Sequence, residues 1–405
     1  MVGKPIQLLV FSSLYPHRGE PTLGVFVENR LRNLVESGQV TATVVAPVPW
    51  FPFSASFFGK YGRMAKAQKK EVRHGITIYH PRHFVIPKIG MEITPFVMFW
   101  SAYRCIKKLL KGGLQPDVID AHYLYPDGVV AAKLGAAFAM PFVLTARGSD
   151  VTEIAQLQGP REEIYQAVNA AAHTITVSEN LRRDLISLGA DPQKITTLRN
   201  GVDLSFFHDT GQRHDETTTH VKPVMLFAGW LIPRKRLDLV LEVTARIPEL
   251  TTLIVGDGPL LEELKAKTRK MGIENRVSFL GQMPPDQMPT IYSSADLLFL
   301  PSDREGCANV LLEAMACGTP VVARAVGAAP DLIVDADGGV VVDSEDADVL
   351  AGAVHRLIGN LPSRKNTRAF AHAFDWTVTT NGQLTIFKFI VSLSDNGVGG
   401  GSLGQ

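Results

Sequence analysis

A chain of 405 residues is longer than one hydrophobic core usually supports, so two domains are expected. Hydrophobic residues at 45% and charged residues at 20% describe an ordinary globular protein, and a net charge of +1 supplies no bulk attraction to nucleic acid. Cys105, Cys307 and Cys317 lie in no metal-ligand spacing and read as free thiols in a reducing compartment.

The first apolar run, Leu8 to Phe11, is too short for a signal peptide or a membrane span, which points to a cytoplasmic protein. It sits in a strand predicted over 6–11, followed by a helix over 26–37. Further strands are predicted at 41–46, 76–79, 117–121, 142–145, 175–177 and 195–198, with helices at 129–139 and 180–188. Short apolar strands alternating with helices imply a parallel sheet covered on both faces. The polar stretch 209–222, DTGQRHDETTTHVK, is the expected interdomain linker. A second series follows: strands at 224–228, 251–255, 277–280 and 296–301, with helices at 237–247, 259–271 and 288–293. Each half therefore reads as doubly wound, with ligands at the carboxyl ends of its strands and a cleft between two facing domains. Phe374-Asp-Trp376 opens a last helical segment to about 391, and 392–405 is expected to be disordered.

The stretch 301–320, PSDREGCANVLLEAMACGTP, carries the chemistry. A strand, a small-residue loop and a helix start build an anion site from backbone N–H groups. Glu305 falls in the loop, and Glu313 lies about two turns further on at 3.6 residues per turn. Val310-Leu-Leu312 and Ala314-Met-Ala316 surround Glu313 with apolar side chains, which a solvated helix face does not need. One carboxylate is placed to accept from sugar hydroxyls and the other from a ribose.

Glu305, seven residues, then Glu313-Ala-Met-Ala-Cys-Gly-Thr-Pro-Val-Val322 resembles the signature of the retaining glycosyltransferases of family 4, and the resemblance covers nearly all of the chain. It implies an α/β protein of the GT-B fold, with two doubly wound Rossmann-like domains facing a central cleft. An acceptor domain is expected at 1–210, a nucleotide-sugar domain at 222–373, and a helix at 374–391 returning to the first. The implied activity moves a sugar from a UDP- or GDP-sugar to a glycan or polyprenyl-linked acceptor in surface polysaccharide synthesis. The family retains anomeric configuration without a committed protein nucleophile, and Glu305 would position the donor sugar. No cofactor or metal is implied, and Asp335-Ala-Asp337 reads as a turn rather than a metal motif.

The resemblance also implies roles. Backbone donors from Gly306, Cys307, Ala308, Asn309, Val310 and Leu311 would hold the diphosphate, and Glu313 the ribose. Gly229-Trp-Leu-Ile-Pro-Arg-Lys-Arg236 resembles the family's Gly-Arg-Leu-x-x-x-Lys-Gly, which aligns Lys235 with the family lysine. Trp230 replaces the usual arginine, leaving Arg234 or Arg236 as its substitute and Trp230 either to pack or to stack on a ligand. Gly24 is all that remains of a glycine-rich phosphate loop after the first strand. His122 resembles the family's strand-end histidine, as a catalytic or a packed residue. Arg147 stands in place of a histidine in Thr-x-His-Gly-x-Asp; it is no base, but carries charge toward a phosphate or an anionic acceptor. Asp150 and Asn200 are acceptor-side candidates, with helix capping and Asn-Gly turn chemistry as their alternatives.

Two aromatic segments, 50–58 and 91–100, precede runs of lysine and arginine. They read either as a surface for anionic membrane, where a lipid-linked acceptor is collected, or as core and acceptor loop. A GT-B epimerase or sugar-phosphate synthase is a rival reading, as is a non-catalytic glycan-binding scaffold. Trp230 and Arg147 favour the scaffold, whereas Glu305, Glu313 and Lys235 weigh against it.

Overall fold

The strands predicted from apolar runs assemble into two parallel sheets, in a computed structural model that describes residues 4–55, 59–85, 90–213 and 223–398. The chain forms two units: residues 1–177, 181–198 and 379–405 make the first, and 178–180 with 199–378 the second.

In unit 1 the strands are β1 (Ile6–Phe11), β2 (Val40–Val45), β3 (Val48–Pro49), β4 (Lys70–Arg73), β5 (Ile76–Tyr79), β6 (Arg82–His83), β7 (Val118–His122), β8 (Phe142–Ala146), β9 (His173–Thr176) and β10 (Ile195–Thr197). The main sheet runs β10-β9-β8-β7-β1-β2-β5-β4 and is parallel except for β4, an antiparallel edge strand on β5. Helix Val25–Glu36 buries Val27, Leu31 and Leu34, a 4-then-3 spacing that makes one apolar face. Leu384, Phe387 and Ile390 join the same core with Leu8, Val10 and Ile78, each such burial being worth roughly 1.5–3 kcal/mol.

Unit 2 holds β11 (Val224–Ala228), β12 (Thr251–Val255), β13 (Val277–Gly281), β14 (Leu297–Leu300), β15 (Val321–Arg324) and β16 (Gly339–Val342). Their order is β13-β12-β11-β14-β15-β16, with every pairing parallel. The order reverses beside β11, so the loops after β11 and β14 meet at a switch point.

Three expectations shift. The chain leaves unit 1 after Leu198, ahead of the polar stretch read as the linker. Packing explains this: Val202 donates its N–H to the Phe374 carbonyl (2.9 Å) and belongs to the second core, and a Cβ on Gly201 would meet Trp376 at 2.6 Å. Asp209 is likewise tied to Arg213 at 2.9 Å, while 214–222 lie outside the described residues. The last helix, Trp376–Val398, passes the expected end near 391, with the Ser392 and Ser394 hydroxyls bonded back to the Phe389 and Ile390 carbonyls. Residues 399–405 lie outside the described residues. Finally, the segment around 91–100 opens a helix, Thr94–Lys111, that buries Pro95, Met98, Ala102 and Ile106.

Candidate active site

Two loops of unit 2 fasten to each other and place the predicted donor residues together. After β11 the chain turns at Gly229 (φ 156), where Lys235 Nζ would lie 3.8 Å from an added Cβ. The Asp303 N–H donates to the Arg234 carbonyl (2.8 Å), and Arg234 Nη1 donates back to the Arg304 carbonyl (3.1 Å). Lys235 Nζ donates to Glu305 Oε1 at 2.5 Å, with Arg234 Nη1 3.9 Å from Oε2. Two cations thus converge on one carboxylate at the head of helix Asn309–Ala316, where Leu311, expected as a diphosphate donor, instead gives its N–H to the Ala308 carbonyl (3.0 Å). Gly327 permits this packing: a Cβ there would lie 2.4 Å from the Glu305 carbonyl oxygen, and Ala328 N–H donates to the Gly306 carbonyl (2.9 Å).

The choice between Arg234 and Arg236 is decided by partners. Arg236 is spent on Asp238, Asp303 and Glu345 at 3.0–3.3 Å, whereas Arg234 stands at Glu305. Trp230 is 62% exposed, so it does not pack into its unit. Asn200, predicted on the acceptor side, instead donates its side-chain amide to Asn309 Oδ1 (2.9 Å) and fixes the helix start beside Gly306, Cys307, Ala308 and Val310.

Glu313, further along the same helix, is partly buried. Tyr292, fully buried, donates its hydroxyl to Glu313 Oε2 at 2.7 Å. Burial pushes the Glu313 carboxyl up, against the opposing pull of the Tyr292 hydrogen bond.

In unit 1 the strand ends carry a buried charge network. Arg147 Nη2 lies 2.8 Å from His122 Nδ1, and Asp120 Oδ2 lies 3.3 Å from Nε2. Arginine can only donate, so Nδ1 accepts and Nε2 holds the proton toward Asp120. Burial pushes His122 below its usual range. For Asp120 burial works the other way, yet His122, Arg30 and Arg147 outweigh it and hold the carboxyl low. His122 is 1% exposed with both nitrogens engaged, which fits the packed alternative rather than a group open to substrate. Arg147 is buried with its guanidinium 5.2 Å from the Phe26 ring centroid, so its charge is committed to this network. Asp150 does not cap the following helix, since it lies inside the short helix Ser149–Thr152 with Gly148 at its cap; it is fully buried and accepts from the N–H groups of Leu124, Arg147 and Gly148 at 2.7–3.1 Å. Gly24 (φ 64) is explained by close packing, since a Cβ would lie 2.1 Å from the Leu14 carbonyl oxygen.

Three contributors escaped sequence reasoning. Asp127, after β7, accepts from the N–H and hydroxyl of Ser13 after β1, and burial pushes its carboxyl up to about 7. Gly256 and Gly258 after β12 let that loop press on Gly229 and Leu231, where added Cβ atoms would meet backbone at 1.9 and 2.5 Å. The strand-Gly-Asp-Gly-Pro pattern was the available signal. Tyr292 carried none, lying twenty-one positions before its partner.

The model of the Glycosyltransferase Family 4 domain matches residues 24–206, and that of Glycosyl transferases group 1 matches 210–373. TuaC, a Bacillus subtilis glycosyltransferase named for teichuronic acid biosynthesis, is 27% identical over 359 residues, covering 87% of this chain and 89% of TuaC. A D-inositol 3-phosphate glycosyltransferase of Mycobacterium sp. (strain JLS) is 32% identical over 275 residues; the match spans 64% of this chain and 62% of that relative. Among solved structures, sucrose-phosphate synthase from Thermosynechococcus elongatus superposes with a TM-score of 0.77 at 18% identity, covering 96% of this chain and all of that one (100%). Anabaena HepE, solved with UDP and glucose, gives 0.68 at 20% identity, covering 94% and 98%. These likenesses fix the fold as GT-B. The two family models lie end to end over both units, and the paired loops of the second carry the motif residues: the chain belongs to the family 4, group 1 glycosyltransferases.

Proposed function

We propose that the protein is a retaining glycosyltransferase that takes a hexosyl group from a UDP- or GDP-sugar and passes it to a glycan or lipid-linked acceptor of a surface polysaccharide. The observation that carries this reading is the convergence of Lys235 and Arg234 on Glu305 at the start of helix Asn309–Ala316. Cations and N–H groups gathered at one point suit a departing diphosphate, whose charge grows as the sugar bond breaks. Glu305 is then set against the positive charge at the anomeric carbon, and Glu313 accepts from the ribose. The leaving phosphate takes the acceptor proton, so His122 and Arg147 need no direct part in that transfer. No metal is called for in this scheme. A relative named for teichuronic acid biosynthesis and a structural neighbour solved with UDP and glucose support the polysaccharide and UDP readings.

The test is thermal unfolding of the wild type and Glu313→Ala against UDP, GDP and ADP. One nucleotide is expected to raise the wild-type midpoint by several degrees, about 3 kcal/mol at a hundredfold excess over Kd, and to leave the variant unmoved. No response to any nucleotide would remove the donor-site assignment.

A location at the cytoplasmic membrane face belongs to the same proposal. Phe96 and Trp100, at 60% and 42% exposure, lie one turn apart on helix Thr94–Lys111 with ring centroids 6.3 Å apart. The exposed pair Trp50 and Phe84 sits at 5.2 Å, and Arg104, Lys107 and Lys108 follow on the helix. No helix among the described residues is long and apolar enough to cross a membrane. Phe57 and Phe58, from the same predicted surface, lie outside the described residues. Phe96→Ala with Trp100→Ala is expected to weaken pelleting with anionic vesicles more than about tenfold, since each ring withdraws roughly 1.5–3 kcal/mol of burial. Unchanged pelleting would count against membrane docking.

A further inference from the structure

A trench of about 960 Å³ opens on unit 1, floored by the sheet rather than by the strand ends. Thr43 of β2 and Thr77 of β5 are register partners and half-exposed on that floor. Their neighbours Val44 and Ile78, on the opposite face, are fully buried. A parallel sheet covered on both faces carries apolar residues on each, so hydroxyls here mark a face left open to a polar occupant.

The walls are cationic. Helix Thr94–Lys111 brings Lys108, and the edge strand β4 brings Lys70, its Nζ 5.5 Å from the ring centroid of its cross-strand partner Tyr79. Lys69 stands beside it. Arg82 donates to the carbonyls of Pro49, Met64, Ala65 and Ala67 at 2.6–3.3 Å, neutral acceptors that leave its positive charge in place. Among the described residues no aspartate or glutamate lines the trench, in a chain with 41 basic and 40 acidic residues.

We propose that the trench is a second binding site, for a sugar chain that carries carboxylate or phosphate groups. Hydroxyls of the floor meet the sugar, and the lysines of two opposed walls meet its charges. The site shares no residue with the paired loops of unit 2 and stands whether or not those loops bind a nucleotide. The same chemistry has two sources: a soluble anionic saccharide, or the sugar-phosphate head of a lipid. Trp100 lies eight residues before Lys108, about 12 Å along the helix at 1.5 Å per residue, which keeps a headgroup at the aromatic surface within reach.

Isothermal titration of the full chain tests this with tetragalacturonate, with maltotetraose as its neutral match, and with vesicles holding about 30% phosphatidylglycerol. Tetragalacturonate is expected to bind at least about tenfold more tightly than maltotetraose, and to lose about tenfold on moving from 50 to 300 mM salt. Lys69→Gln, Lys70→Gln and Lys108→Gln together remove that binding while the thermal response to UDP and GDP stays as in the wild type. Thr43→Val weakens it about threefold without changing the salt dependence. Binding of the vesicles alone, lost in the triple variant but kept by Phe96→Ala with Trp100→Ala, identifies the lipid head as the source. Equal binding of charged and neutral tetrasaccharides, or tetragalacturonate binding that survives the triple substitution, overturns the proposal, as does failure of both anionic probes to bind.

Discussion

Lys235→Met is expected to lower kcat/KM for sugar transfer by about 10³-fold, most of it in kcat. The side chain is 12% exposed and its Nζ lies 2.5 Å from Glu305 Oε1, so its charge acts in a partly dehydrated place. If the diphosphate departs beside it, the interaction strengthens as the bond breaks, which is why the loss falls on kcat rather than KM. A second cost runs alongside. Without Lys235 the Glu305 carboxylate, itself 10% exposed, keeps only Arg234 at 3.9 Å as a cationic partner among the described residues. Breaking a buried pair from one side costs at most about 3–5 kcal/mol of stability, and this pair is not fully buried. Lys235→Arg separates the two effects: it keeps the charge near Glu305 but presents a planar fork in place of a compact ammonium. The arginine variant should recover the unfolding midpoint while restoring only part of the rate. Initial rates with the donor chosen by thermal shift, read beside unfolding curves, decide the matter. Wild-type kcat/KM in Lys235→Met would end the case for this lysine.

The alternation of strands and helices was legible because each buried parallel strand is a short apolar run, and this depends on nothing distant. The paired loops of unit 2 were legible for a related reason: Glu305, the small-residue loop and Glu313 lie within nine positions of one another. What failed to show depends on tertiary partners. Arg234 and Arg236 are equivalent in sequence, and only the three carboxylates around Arg236 distinguish them. Asp150 looked as ready to meet a sugar as to cap a helix until three backbone N–H groups were found on its oxygens. Asp127 and Ser13, which tie two strand ends together, are separated by 114 positions. The helix at Thr94–Lys111 was obscured by its aromatic first half, where exposed Phe96 and Trp100 stand in the same apolar run as buried Met98. The polar stretch at 209–222 misled through composition alone, since Val202 and Phe207 had already committed the chain to the second core.

Tyr292→Phe is expected to weaken nucleotide binding by about tenfold and to move the acid limb of that binding to higher pH. Phenylalanine keeps the ring that fills this fully buried position, so the core is preserved and only the hydroxyl is lost. That hydroxyl occupies Glu313 Oε2 and leaves Oε1 to a ligand. It is also the force that opposes the burial pushing the Glu313 carboxyl up. Remove it, and the carboxyl takes its proton at a higher pH than in the wild type. A protonated carboxyl is a poorer acceptor for two ribose hydroxyls, so binding falls away sooner as pH drops. Stability without nucleotide moves in the opposite sense. A carboxyl whose folded pKa is raised favours the fold at low pH and loses that contribution as pH rises, so the variant should lose more than the wild type between acid and neutral conditions. Discrimination between UDP and 2′-deoxy-UDP, or the guanosine pair if GDP proves to be the nucleotide, should narrow as well, because a carboxylate no longer held in place gains less from the second hydroxyl. A loss that is the same at every pH, with discrimination intact, would reduce Tyr292 to packing. Glu313→Gln measured beside it separates that outcome from a misplaced donor site, since the glutamine variant must lose the ribose preference whatever Tyr292 does.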